Sequence, residues 1–383
     1  MENILNQVNQ LASTADKATR RSIMASLHEA AWSMEDCNDT VHRYGYLHLQ
    51  TAAMKTGFDL GLFKLLIQET TAISVTTIAQ HCTADPQFLE RYLRYIASIG
   101  AVREVGPGLY GANNVTRNLA QKVTEAGISH CFMTIGPQYQ AFPQFLARTN
   151  YRSPADELHT VFQDAWQTPL HAFAWFADHD EELHHFNDYM AARREPSLSW
   201  LTVYPVLKEV NQMTDPTRAI YVNIGGGIGH QCAQFKAKYP DVTGRVVLQD
   251  LQHSIDKALP TPGVENMIHD FFKPQPIKGA KFYFLRGVLH NHPNHKALQL
   301  LGHLRDAMVN DSILLLDEMV LPEFGVNAYA ASMDMTMMSA FASAERSEAQ
   351  WRQLIEDAGL SLCGTYLYNP ESYESVMDVR IRQ

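Results

Sequence analysis

The chain is short of positive charge: 31 lysines and arginines face 41 acidic residues, a formal net charge of -10. Such a surface repels a phosphate backbone, so nucleic acid is not an expected partner. No run approaches the ~20 apolar residues of a membrane span, and the amphipathic opening MENILNQVNQLASTADKATRR lacks a signal peptide's apolar core. A cytoplasmic protein with no membrane partner is expected. Cysteine is scarce, with Cys37, Cys82, Cys131, Cys232 and Cys363 scattered, odd in number and without a CxxC pair. That excludes a disulfide framework and a zinc site, and predicts a reducing compartment and no bound metal. Proline-, glycine- or serine-rich tracts are also missing, and 46% of residues are hydrophobic, so the chain reads as packed rather than disordered.

At 383 residues there is room for more than one domain. Apolar residues recur at helical spacing from Asn3 to about Leu66, and YLHLQTAAMKTGFDLGLFKLL is too apolar all round for a lone surface helix, which predicts a partner for it. Beyond it, two helical stretches, the second over Pro86–Ser98, lead into Val102–Glu104, a turn at Gly106–Gly108 and Leu109–Tyr110, the order of a winged helix. That second helix carries only Arg91 and Arg94 as cations, which argues against a DNA reader. From about Leu119 to Met213 the chain is irregular, helical in pieces and rich in His and aromatics. After Arg218, short β-branched or apolar runs (Ala219–Ile224, Val246–Leu248, Phe282–Leu285, Ser312–Leu316) alternate with helical stretches, which predicts a parallel sheet wound with helices. The expected division is a helical and winged-helix domain over 1–120, a connecting region over 121–215 that contributes to a substrate pocket, and an α/β domain over 216–383.

The strongest local signal is YVNIGGGIGHQCAQF, a strand running into Gly225, Gly226, Gly227 and Gly229 and then a helix. Glycines there let the backbone turn tightly and approach a ligand closely. The spacing is G-x-G-x-G, not the dinucleotide fingerprint, and suits a nucleoside better than a pyrophosphate. The next strand ends in Asp250, roughly 20 residues on, where a carboxylate can accept ribose hydroxyls; its competing role is a helix cap. MIHDFFKPQPIKGAKFYFLRGVLH adds Asp270 and Phe271 for an adenine and Arg286 near the next strand end.

NIGGGIGH, VLQDL, HDFF and LRGVLH with LLLDEMVLPE stand in an order and spacing that resembles the fungal and plant O-methyltransferases, over about Asp39 to Val379. The resemblance implies an α/β Rossmann-like class I methyltransferase domain, preceded by a mainly α-helical winged-helix dimerisation domain, in a homodimer that binds S-adenosylmethionine and a small-molecule substrate. It implies that Gly225, Gly226 and Gly227 line the methionine and ribose side, that Asp250 holds the ribose, and that Asp270 and Phe271 flank the adenine. Asn223 departs from the family's usual aspartate.

Methylation of a phenol-like hydroxyl needs a base, and a histidine with ordinary pKa near ~6.5 suits that proton transfer. By resemblance His290 is this base, and Glu318 and Glu345 are its acids, since a carboxylate on an imidazole fixes its tautomer. Without the family, Glu318 reads as a solvated strand end and Glu345 as a helix cap. The loop after the base, LHNHPNH, has Asn291 and His292 where the family commonly has Asp-Trp, which reshapes the pocket or the chemistry. Some fungal relatives resemble methyltransferases yet act as pericyclases, keeping the cofactor without transferring its methyl. For that chemistry, His130 and Arg194 are the expected hydrogen-bond donors. O-methylation ranks first because the His/Glu/Glu set is intact, and a catalytically dead binding protein ranks last. Other substrate contacts are expected from Met133, His292 and Asp334. Phe132, Phe162, Trp166, Phe173, Trp175, Phe176 and the run Met333–Met338 are candidate pocket walls.

Overall fold

A computed structural model describes residues 2–192, 198–210 and 215–382. The chain divides into two compact units, one formed by residues through Thr134 with a stretch that starts at His184, the other by Ile135–Leu183 and the later residues.

In the first unit, the amphipathic repeat condenses on a core of Leu62, Phe63, Leu66, Ile78, Leu89, Leu93 and Ile96. The long apolar segment is not one helix: Gly61, at φ 64°, divides it into Leu47–Asp59 and Leu62–Gln68. The winged-helix order is present as Val75–Cys82, Pro86–Ser98 and a small sheet of β1 (Ile73–Ser74), β2 (Arg103–Gly106) and β3 (Leu109–Gly111) in the order β1-β3-β2. Ahead of it, the helices Glu2–Thr14, Lys17–Trp32 and Cys37–Gly45 bury no residue of their own. Ile4, Leu11, Met24, Trp32 and Val41 are all exposed there.

The second unit is built on β4 (Ala219–Ile224), β5 (Arg245–Asp250), β6 (Val264–Ile268), β7 (Phe282–Arg286), β8 (Ile313–Leu321), β9 (Arg346–Ser347), β10 (Leu360–Asn369) and β11 (Glu374–Ile381). They run β10-β11-β8-β7-β4-β5-β6, with β9 paired to β8. β4 is buried at every position, as a central parallel strand covered on both faces should be. Its residues serve two cores: Val222 and Ile224 pack with Leu300, Leu304 and Trp351, while Ile220 and Tyr221 pack with Phe235 and Trp200. The sheet is not wholly parallel, because β11 pairs antiparallel with both β8 and β10. β8 also runs to Leu321 rather than stopping at Leu316, which places Glu318 inside the strand.

β4 lies between β5 and β7, so the strand order reverses there. Open α/β sheets bind ligands at such a switch point, outside the carboxyl ends of the strands. The glycine run follows β4 and His290 follows β7.

Candidate active site

The loop after β4 turns through Gly225 (φ 63°), Gly227 (φ 61°) and Gly229 (φ 94°), conformations that favour glycine. A β-carbon at Gly226 would collide with Asn223 and Leu248, whereas one at Gly227 would meet nothing within 4 Å. The loop is therefore packed beneath and open above. Asp250, at the end of β5, accepts from Gly227 N at 2.7 Å and from Leu251 N at 2.7 Å, so it ties the glycine turn to the neighbouring strand. The helix Gln252–Ile255 has no side-chain cap bond. Phe271 lies 3.4 Å from the position of a Gly225 β-carbon, and Asp270 accepts from Phe272 N at 2.9 Å. A small-residue floor, a carboxylate at a strand end and an aromatic flank fit a nucleoside-bearing cofactor.

His290, the expected base, sits one short turn beyond β7. Gly287, at φ 58°, reverses the chain into the turn Leu289–Asn291. His290 Nδ1 lies 2.7 Å from Glu345 Oε1. A proton shared along that contact puts the lone pair on Nε2, the geometry a base needs. Glu345 N donates to Asp334 Oδ1 at 2.9 Å, so Asp334 holds the backbone of the residue that meets His290. Burial raises the Asp334 carboxyl above its ordinary range. Glu345 does not cap the following helix, whose N-cap is Ser347.

Glu318 is buried, not a solvated strand end, and burial raises its pKa. Its Oε1 accepts from Val288 N at 3.0 Å and Leu289 N at 2.8 Å, the amides that lead into His290. Ser343, which no local pattern marks, donates from Oγ to His290 O at 2.6 Å and His292 O at 2.8 Å.

The other candidates fall into separate settings. The Arg286 guanidinium faces Asp317 Oδ2 at 3.3 Å and Glu374 Oε1 at 3.9 Å. Burial pushes the Asp317 carboxyl up to about 7. His292 meets the rings of Phe271 and Phe272 edge-on, at 5.7 and 5.0 Å, with Nδ1 3.6 Å from Glu157 Oε2. It thus belongs with the aromatic flank expected at the adenine end. His130 and Met133 belong to the first unit, where His130 is buried against Phe186 at 5.4 Å. Arg194 lies outside the described residues. Among the proposed walls, Phe162, Trp175 and Phe176 are buried and Trp166 packs on Trp175 at 4.5 Å, whereas Met335 is exposed. Among the described residues, no group of three or more His, Cys, Asp or Glu could hold a metal. No described helix is long and apolar enough to cross a membrane.

Residues 151–361 match the O-methyltransferase domain family, and residues 44–122 the O-methyltransferase dimerisation domain. The chain is 39% identical over 379 residues to O-methyltransferase ucdC of Aspergillus ustus, covering 98% of each protein. It is 35% identical to demethylsterigmatocystin 6-O-methyltransferase of Aspergillus parasiticus, over 96% of this chain and 95% of that one. Among solved structures, LepI in complex with S-adenosylmethionine matches with a TM-score of 0.91 and 36% identity, covering 100% of this chain and 98% of that one. A structure described as a pericyclic reaction enzyme also matches with a TM-score of 0.91 and 36% identity, covering 100% and 99%.

Proposed function

We propose, from the premise that the chain belongs to the O-methyltransferase family and is an S-adenosylmethionine-dependent enzyme, that it methylates a hydroxyl of a small aromatic or polyketide-type secondary metabolite with His290 as base. One observation carries this reading: the imidazole of His290 is held by Glu345 at 2.7 Å, one turn beyond a strand at the sheet's switch point. A protein that only had to bind its ligands would have no use for that dyad.

S-adenosylmethionine, when bound, supplies an electrophilic methyl group on a sulfonium. Gly225, Gly226 and Gly227 would cradle its methionine and ribose side, Asp250 would take the ribose hydroxyls, and Asp270 with Phe271 would hold the adenine. His290 Nε2 takes the acceptor's proton, and Glu345 stabilises the imidazolium that forms. Glu318 keeps the turn under the base from moving during that transfer.

Replacing Asp250 by alanine is expected to weaken cofactor binding by ~1 to 3 kcal/mol, the worth of a lost hydrogen-bonding carboxylate. Isothermal titration calorimetry reads it, and an unchanged Kd would remove Asp250 from the ribose. We assign the protein to a homodimer joined through its N-terminal domain, whose dimerisation match is accompanied by exposed apolar helices. Light scattering that returned only the monomer mass would overturn the dimer.

The likeness to LepI and to a pericyclic reaction enzyme favours a second reading, a cyclase that keeps the cofactor and transfers no methyl. Incubation with methyl-labelled S-adenosylmethionine and candidate phenolic or pyridone metabolites separates the two. Label in a product with stoichiometric S-adenosylhomocysteine supports methyl transfer. Substrate converted at unchanged or dehydrated mass, with cofactor intact, supports the cyclase.

A further inference from the structure

We infer that Arg346 is the positioning residue of the catalytic turn, a single guanidinium that fixes both the backbone bearing His290 and the backbone bearing its acid. The inference rests on the reading of His290 as base. The segment between β7 and the helix Asn294–Arg305 closes only isolated turn bonds, Asn291 N to Val288 O and His292 N to Leu289 O, so its carbonyls keep acceptor capacity for partners from elsewhere in the fold. Arg346 supplies them on both sides of His290. Nη1 donates to Leu289 O at 3.3 Å and Nη2 to His292 O at 3.3 Å. Nη1 also reaches Ala344 O at 3.3 Å, next to Glu345. Asn294 Oδ1, at the start of the following helix, accepts from Nη2 at 2.8 Å and from Nε at 3.3 Å.

The arginine is itself held rigidly. It is 3% exposed, its guanidinium lies 5.0 Å from the centre of the Trp351 ring, and its main chain pairs with Val320 as part of β9. Burial opposes its charge, while the carboxylates of Glu318, Glu345 and Asp334 favour it. A planar fork with five donors can reach four acceptors at once, whereas a lysine ammonium reaches fewer and cannot span the turn. Glu318 takes the amides entering the turn and Arg346 the carbonyls around it, so the imidazole has little freedom to swing away from Glu345.

The test is Arg346→Lys in the full chain, which keeps the charge and removes the fork. The expected result is a kcat lower by ~10- to 100-fold, as small misplacements of a catalytic group produce, with cofactor Kd changed by no more than about twofold. Amide exchange should rise in the peptide containing Val288 to His292 and stay unchanged in β4 and β5. Arg346→Ala should regain part of its rate when guanidinium ion is added. Wild-type kcat and protection in Arg346→Lys would overturn the proposal, and so would a loss of protection spread evenly over the molecule. A wild-type enzyme that moves no methyl would refute the functional reading, and the exchange measurement would still decide the role of Arg346.

Discussion

His290→Ala is expected to lower methyl transfer by ~10²- to 10⁴-fold, the usual contribution of a positioned general base, while the cofactor Kd stays close to wild type. The two effects separate because the imidazole hangs from the turn after β7, with Nδ1 on Glu345, whereas the cofactor cradle is built from the loops after β4 and β5. Single-turnover label transfer together with calorimetric titration of S-adenosylmethionine measures both. A variant that loses cofactor affinity and keeps its single-turnover rate would show that His290 belongs to the binding site instead.

Glu318→Ala should be the most damaging of these changes to the fold. Its carboxylate is the acceptor for two buried amides, Val288 N and Leu289 N, and alanine leaves both without a partner. Each stranded donor costs ~1 to 3 kcal/mol, so a total of about 2 to 6 kcal/mol is expected, with methyl transfer falling alongside as the turn loosens. Glu318→Gln keeps an oxygen in place and should cost less than half as much. Thermal unfolding of the two variants side by side decides the matter: equal losses would mean that the amides are not what Glu318 serves.

The proposed cofactor side was more legible in the sequence than the proposed catalytic side. A strand entering Gly225 to Gly229 and a second strand ending in Asp250 are local patterns, readable within about 30 residues because short-range geometry dictates them. Position also marked His290, at a strand end. What Glu318 does was hidden, since an apolar run that ends at Leu316 does not reveal that β8 continues to Leu321, which turns a solvated end into a buried acceptor. Arg346 and Ser343 act on residues more than 50 positions earlier in the chain, a distance over which no periodicity reports. The antiparallel placement of β10 and β11 was missed for a similar reason: alternating helices and strands suggest parallel winding, and only pairing across the sheet shows the reversal. His292 was expected among the substrate contacts, in the loop where Asn291 and His292 stand in place of the family's Asp-Trp pair; its ring meets Phe271 and Phe272, a contact that no local pattern reports.

The strand order also bears on how the molecule is made. β11 follows both β8 and β10 in sequence, yet it lies between them. A chain emerging from the ribosome therefore presents two open strand edges until that last insertion, a state in which unpaired edges invite aggregation. Glu318 lies on one of those edges, opposite Ser375 of β11. The proposed catalytic wall is thus among the last parts to close, and a nascent or clipped chain that lacks β11 is expected to be inactive even with every proposed catalytic residue already synthesised.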